Sequence, residues 1–251
     1  MPLATSWRMP AHKKVLRNML PENDLDRLAL LHGSDKFGSH FYTTHYHACF
    51  GAMRAKPVQL LEIGIGGYDD PNAGGASLRM WKDYFPSGHI YGLDWYAKPG
   101  LEQERVKTYQ GSQADPVAIA AVIGDNPDRA FDIIIDDGSH RSEHVIASFL
   151  MLFQYVKPGG WYVIEDVQTS YWSDHGGNSS DLNTPMTSVA FFKQFIDGLN
   201  WREIHRPGYT PTIFDQTIVS IRFYHNMIFI EKGTNDIPSN FVQNNRVPTA
   251  V

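Results

Sequence analysis

The stretch VQLLEIGIGG, residues 58–67, decides the fold. Its apolar run has strand length, is too continuous to keep a wet face, and ends in glycines, as a strand buried on both sides does where it enters a tight turn. ASLRMWKDYF (76–85) follows with helical spacing. The alternation continues outward. HIYGLDW (89–95) is a second strand, VKTYQG (106–111) a third, and PVAIAAVIG (116–124) a helix behind it. FDIIIDDGSH (131–140) holds a fourth strand, SEHVIASFLMLFQYV (142–156) is helical, KPGG turns the chain, and WYVIED (161–166) is a fifth strand. Residues 167–185 are polar and aperiodic and read as a long loop over a site. MTSVAFFKQFIDGLN (186–200) returns to helix, and QTIVSIRFYHNMIFIEKG (216–233) is a hairpin turning at HN. Parallel strands need crossovers, so the pattern predicts an α/β fold: a doubly wound, mainly parallel seven-stranded sheet with a C-terminal antiparallel hairpin. Residues 1–57 form an N-terminal helical segment on this core, and 58–251 the main domain with a lid at 167–185.

The 251 residues, 42% hydrophobic and 20% charged, suffice for one sizeable core. A net charge of -5 excludes a sequence-independent grip on nucleic acid, which needs a basic face. The lone Cys49 cannot form an internal disulfide, and MPLATSWRMP lacks the apolar run of a signal peptide. No run reaches the ~20 apolar residues that cross a bilayer. A cytoplasmic location is expected, with no membrane partner.

In doubly wound sheets ligands bind beyond the carboxyl ends of the strands. At the first tip, Glu62 is followed by Gly64, Gly66 and Gly67, which permit a tight turn and close approach of a ligand. A dinucleotide fingerprint would require glycine at Asp69, so pyrophosphate binding is the weaker reading. Asp94, ending the second strand, is placed to accept hydrogen bonds from both hydroxyls of a ribose. A nucleoside without a pyrophosphate fits this pair. The motif E-x-G-x-G-G with an acid after the next strand resembles the first two signatures of class I methyltransferases that use S-adenosylmethionine. That resemblance implies cofactor contacts from Glu62, Gly64, Gly66 and Asp94, places Gln113 of QGSQAD against the adenine, and sets Asp136 beside the cofactor.

The fourth and fifth strands should be neighbours, and both end in acids: Asp136 and Asp137 on one, Glu165 and Asp166 on the other. Crowded carboxylates repel unless a cation sits among them, and oxygen donors without cysteine suit Mg²⁺ or Mn²⁺. Adjacent strand residues face opposite ways, so Glu165 and Asp166 can both serve only where the strand has broken. His140 follows Asp137 across a glycine and a serine. An imidazole titrates near pH ~6.5 and suits a general base, here removing a proton from an alcohol that then attacks the sulfonium methyl in line. A cap on the helix starting near Ser142 would account for Asp137 and His140 but leave the second acid pair unexplained.

From about Gly33 to Gly233 the chain is similar to the metal-dependent sugar O-methyltransferases of mycinamicin and tylosin macrolide pathways. The resemblance is carried by GSDK (33–36) with HFYTTHY, LEIGIGG, YGLDW, DDGSH, GGWYVIEDVQTSYW and FYHNMIFIEKG. It implies that Asp137, Glu165 and Asp166 are metal ligands, His140 the base, S-adenosylmethionine and Mg²⁺ (or Mn²⁺) the cofactors, and a deoxysugar hydroxyl on a glycosylated polyketide the acceptor. A homo-oligomer is expected. The mycinamicin-type relatives carry an additional N-terminal domain for which this chain is too short, so Tyr171, Trp172 and His175 would have to supply an acceptor wall. Two other functions stay open: a catechol-type methyltransferase, and a methyltransferase-like fold that binds without transferring methyl. Elsewhere, Ser34, Asp35 and Lys36 are expected to help cover the cofactor, with Tyr42 and Tyr46 packing over its pocket. His40, His45 and His47 lack the spacing of a familiar metal ligand set. FFKQF (191–195) reads as core and His225 as surface.

Overall fold

The structure is a computed structural model and describes residues 20–239. Asn23 caps α1 (Asp24–His32) in a reciprocal capping box with Asp26, and Gly33, at φ 70°, ends it. Helix α2 (Thr43–Phe50) leads into β1 (Gln59–Ile63), which is followed by α3 (Ala76–Tyr84), β2 (His89–Asp94) and β3 (Val106–Gln110). Then come α4 (Pro116–Asp125), β4 (Phe131–Asp136), α5 (Ser142–Leu152) and β5 (Val156–Ile164). Short helices α6 (Ser188–Lys193), α7 (Phe195–Gly198) and α8 (Ile213–Thr217) precede the hairpin of β6 (Ile218–Tyr224) and β7 (Met227–Lys232).

The strands form one sheet in the order β3-β2-β1-β4-β5-β7-β6. Pairs among β1 to β5 are parallel, and β7 is antiparallel to β5 and β6. Side chains alternate between two cores. Leu60, Ile133, Ile135 and Val163 pack with Leu25 and Ala29 of α1 and the aromatic cluster of α2 and α3, whereas Leu61, Ile63, Ile134, Tyr162 and Ile164 pack under α4 to α6. The three phenylalanines at 191, 192 and 195 join the second core.

The register sets the site. Ile63 pairs with Leu93 and Asp136, and Asp136 with Ile164, so these four lie in one row. The ladder runs one residue further: Gly64 N donates to Leu93 O, Asp137 N to Ile63 O and Glu165 N to Asp136 O, at 2.8, 2.9 and 2.9 Å. Gly64, Asp94, Asp137 and Glu165 therefore leave the sheet at one level. The chain order reverses between β1 and β4, and a crevice opens there at the strands' carboxyl ends.

Several elements differ from the sequence reading. Between β2 and β3 the crossover is only a 3₁₀ turn at Pro99–Leu101. Helix α5 stops at Leu152, and β5 already pairs at Val156, before KPGG; a register shift opposite Phe131 and Ile133 absorbs the glycines. The helix expected over 186–200 is split into α6 and α7. Residues 213–217 form α8, capped by Thr212, so the first hairpin strand starts at Ile218. The loop 167–185 contains 3₁₀ turns at Val167–Tyr171 and Ser173–His175. Residues 1–19 and 240–251 of the expected segments lie outside the described residues. Among the described residues no helix is long and apolar enough to cross a membrane.

Candidate active site

The cavity at the β1/β4 crevice measures about 570 Å³ and is lined by Gly64, Gly66, Asp94, Gln113, Asp137, His140 and Asp166, among others. The sequence predicted all seven. Gly64 and Gly66 have φ of 79° and 70°, the left-handed region that an L side chain rarely adopts. Asp94 hangs from the end of β2 and is fixed from both sides: Ile65 N donates to Oδ2 at 3.0 Å and Tyr96 N to Oδ1 at 2.9 Å. A carboxylate offers about four lone-pair directions, so each oxygen keeps capacity for a ligand hydroxyl.

The two acid pairs divide in a way the sequence did not show. Odd and even positions on a strand face opposite layers, which sends Asp136 toward α5 and Asp137 toward α1 to α3. Asp136 is 1% exposed and does not line the cavity. It accepts from Gln113 Nε2 at 2.8 and 3.0 Å and from Ser148 Oγ. Burial raises its carboxyl to about 6, opposed by the Ser148 hydrogen bond. Gln113 completes a brace, because its Oε1 accepts from Ser139 N at 2.7 Å and pins the turn that carries His140. Both polar ends of Gln113 are thus engaged within the chain, though the residue still borders the cavity. Glu62 is fully buried behind the glycine loop and contributes no wall to the cavity.

Beyond β5 the backbone does break. Asp166 has φ 52°, and its side chain swings away from that of Glu165. Donor atoms of Asp137, His140 and Asp166 lie within 4.8 Å of one another at the cavity; those of Glu62, Asp137 and Glu165 form a second, more buried group, also within 4.8 Å of one another. Asp137 belongs to both. His140, at φ 55°, holds Nε2 3.8 Å from Asp166 Oδ2. The capping alternative finds no support: the α5 N-cap is Arg141, with no side-chain cap bond.

Three residues of the N-terminal segment reach the acids, and their roles were not legible beforehand. Lys36 does not cover the cavity. Its ammonium is buried beneath it, 2.8 Å from Asp137 Oδ2, 2.6 Å from Glu165 Oε1 and 3.2 Å from Glu62 Oε1. Tyr46 donates to Glu165 from inside the aromatic core, and Tyr42 OH donates to Asp166 Oδ1 at 2.5 Å. Asp35 does line the cavity. Burial opposes the charge on Lys36, but Asp137, Glu165 and Glu62 together outweigh it and hold its pKa well above the ordinary value. Burial, then repulsion by Asp137, pushes the Glu165 carboxyl far up; burial also raises Glu62.

Four carboxylates thus converge against one ammonium. The two Glu62 oxygens are buried and accept no well-formed hydrogen bond. This surplus of negative oxygen donors, with no thiolate nearby, fits a hard divalent cation. The histidines of 40–47 are occupied otherwise: His40 stacks on Tyr42, His45 on Tyr224, and His47 Nδ1 meets Tyr84 OH at 2.9 Å. Tyr171 and Trp172 do not line the main cavity. Tyr171 instead borders a neighbouring depression with Ile196 and Phe223, and Trp172 packs edge-on to His175.

Known proteins resemble the chain in sequence and in fold. No family model matches the chain. Demethylmacrocin O-methyltransferase of Streptomyces fradiae is 45% identical over 217 residues, covering 84% of this chain and 54% of that protein. Mycinamicin VI 2''-O-methyltransferase of Micromonospora griseorubida is 44% identical over 218 residues, covering 85% and 53%. The solved structure of MycE methyltransferase with Mg, SAH and mycinamycin VI superposes with a TM-score of 0.81 at 41% identity, covering 88% of this chain and 57% of that one. In sequence and fold, the chain is similar to these macrolide and deoxysugar O-methyltransferases. The seven strands with their terminal antiparallel pair are the α/β class I methyltransferase fold, matching that of MycE. The chain spans about half the length of the curated relatives it matches.

Proposed function

We propose that the chain carries the catalytic domain of a divalent-cation-dependent O-methyltransferase that moves a methyl group from S-adenosylmethionine to a deoxysugar hydroxyl, such as a rhamnosyl one, on a glycosylated polyketide. One observation carries the reading: the glycine turn with Asp94, and the Asp137–His140–Asp166 group, open into the same cavity. The positive-φ glycines admit the cofactor close to the backbone, and Asp94 takes the ribose hydroxyls. Asp137 and Asp166, with Glu165 behind them, are the residues that would hold Mg²⁺ or Mn²⁺. When bound, such a cation polarises an acceptor hydroxyl and makes it more acidic. His140, at the cavity wall, accepts the hydroxyl proton, and the oxygen so freed displaces the sulfonium methyl in line. Gln113 and Asp136 act on this step indirectly, by holding the turn on which His140 sits. The same reading makes the partner a small-molecule glycoside, the location the cytoplasm and the assembly a homo-oligomer.

The test is an assay with methyl-labelled S-adenosylmethionine against rhamnosylated and other deoxysugar-bearing polyketides, with a catechol alongside and mass spectrometry of products. Label on a sugar hydroxyl is expected. Label on the catechol alone, or none despite tight cofactor binding, would reject the assignment.

A further inference from the structure

We propose that Lys36 is a resident cation that closes the inner space between Glu62, Asp137 and Glu165 to metal, so that a divalent ion is confined to the outer, cavity side of Asp137, Glu165 and Asp166. This rests on the metal-dependent reading above and deepens it.

The two groups share Asp137, and in each the donor atoms lie within 4.8 Å of one another, so both are compact enough to be considered for an ion. What separates them is the ammonium. Lys36 is 1% exposed and lies within 3.2 Å of an oxygen on all three inner acids, where it does what an ion would do. An ammonium is a compact point charge, and a divalent ion placed beside it meets repulsion in a region that water screens poorly. The lysine is also tethered: its carbonyl accepts from Tyr42 N at 3.0 Å and Thr43 N at 3.3 Å, which ties it to the start of α2. Lys36 takes Oδ2 of Asp137 and, with Tyr46, Oε1 of Glu165; Tyr42 takes Oδ1 of Asp166. One oxygen of each predicted ligand is thereby fixed from the N-terminal side. The other, among the described residues, accepts no hydrogen bond. Lys36 is a positioning residue as well as a counter-ion.

The experiment counts Mn²⁺ ions on the metal-free full chain by calorimetry and electron paramagnetic resonance, with thermal melting as a second readout. One ion per chain is expected for the wild type and for Lys36→Arg, which keeps the charge. Lys36→Ala should bind two, with spin coupling between them, and its melting temperature should depend on Mn²⁺ more steeply than the wild type's. Adding Glu62→Gln to Lys36→Ala should return the count to one. A Lys36→Ala chain that binds one ion or none, or stays insoluble with and without Mn²⁺, overturns the proposal, as would two ions on the wild type. Absence of any ion on the wild type would instead overturn the metal-dependent reading.

Discussion

Replacing Gly64 by alanine should cripple the site by displacing the backbone that carries Asp137. Gly64 sits at φ 79°, and a Cβ there would overlap the carbonyl oxygen of Asp137 and come within 2.7 Å of Gly138 Cα. Carbon atoms pack at about 3.5–4.0 Å, so the Asp137–Gly138 peptide would have to retreat by close to an ångström. Left-handed backbone costs an L residue roughly 1–2 kcal/mol, and forcing packed neighbours apart typically adds about 1–3 kcal/mol. A total near 3 kcal/mol corresponds to a melting temperature lower by roughly 6–12 °C in a chain of this size. Because the displaced peptide bears Asp137 and leads to His140, Mn²⁺ affinity should fall in parallel. Gly66→Ala is the control: its φ is 70°, but the nearest atom to its Cβ is Gly74 Cα at 3.9 Å. It should lose only about 1–2 kcal/mol from the backbone term and, since it lines the cavity, weaken cofactor binding more than metal binding. Calorimetric melts with titrations of Mn²⁺ and S-adenosylmethionine separate the two. Gly64→Ala with wild-type stability and Mn²⁺ affinity would refute the reasoning.

Other outcomes follow from the same geometry. His140→Ala should lower kcat by about 10²–10⁴-fold while cofactor affinity by calorimetry stays within about twofold, since the imidazole serves the acceptor proton rather than the cofactor. Tyr42→Phe removes the hydrogen bond to Asp166 Oδ1 and should weaken Mn²⁺ binding without changing cofactor affinity. Burial lowers the His45 pKa in the fold, so the unfolded chain takes up the proton first as pH falls. The stability tied to the neutral ring should be present above pH ~6.5 and lost below it, and His45→Phe, which keeps the stack on Tyr224, should flatten urea-denaturation stability across that window.

Much of the fold was legible because each buried strand carries its signal locally, in apolar runs closed by glycine or acid. Strand register then brought Gly64, Asp94, Asp137 and Glu165 to one level, as the strand-tip reading required. The divergence of Glu165 from Asp166 followed from strand alternation, but which would face the cavity depended on a single left-handed residue. Lys36 could not be placed from sequence at all. It lies 101 and 129 positions from its partners Asp137 and Glu165, and nothing in GSDK distinguishes a buried counter-ion from a surface lysine. The excess of acids was the available signal, and it pointed to a metal without revealing that the chain supplies part of the positive charge itself. Gln113 shows the converse: its position was foreseen at the cavity, yet its amide is spent bracing Asp136 and Ser139.

The most direct test is methyl transfer to a rhamnosylated polyketide in excess chelator, followed by restoration of Mg²⁺. Turnover should vanish in chelator and return with Mg²⁺ in the wild type, and should fail to return in Asp137→Ala. Undiminished transfer in chelator would contradict the account, because the converging acids would then have no part in the reaction.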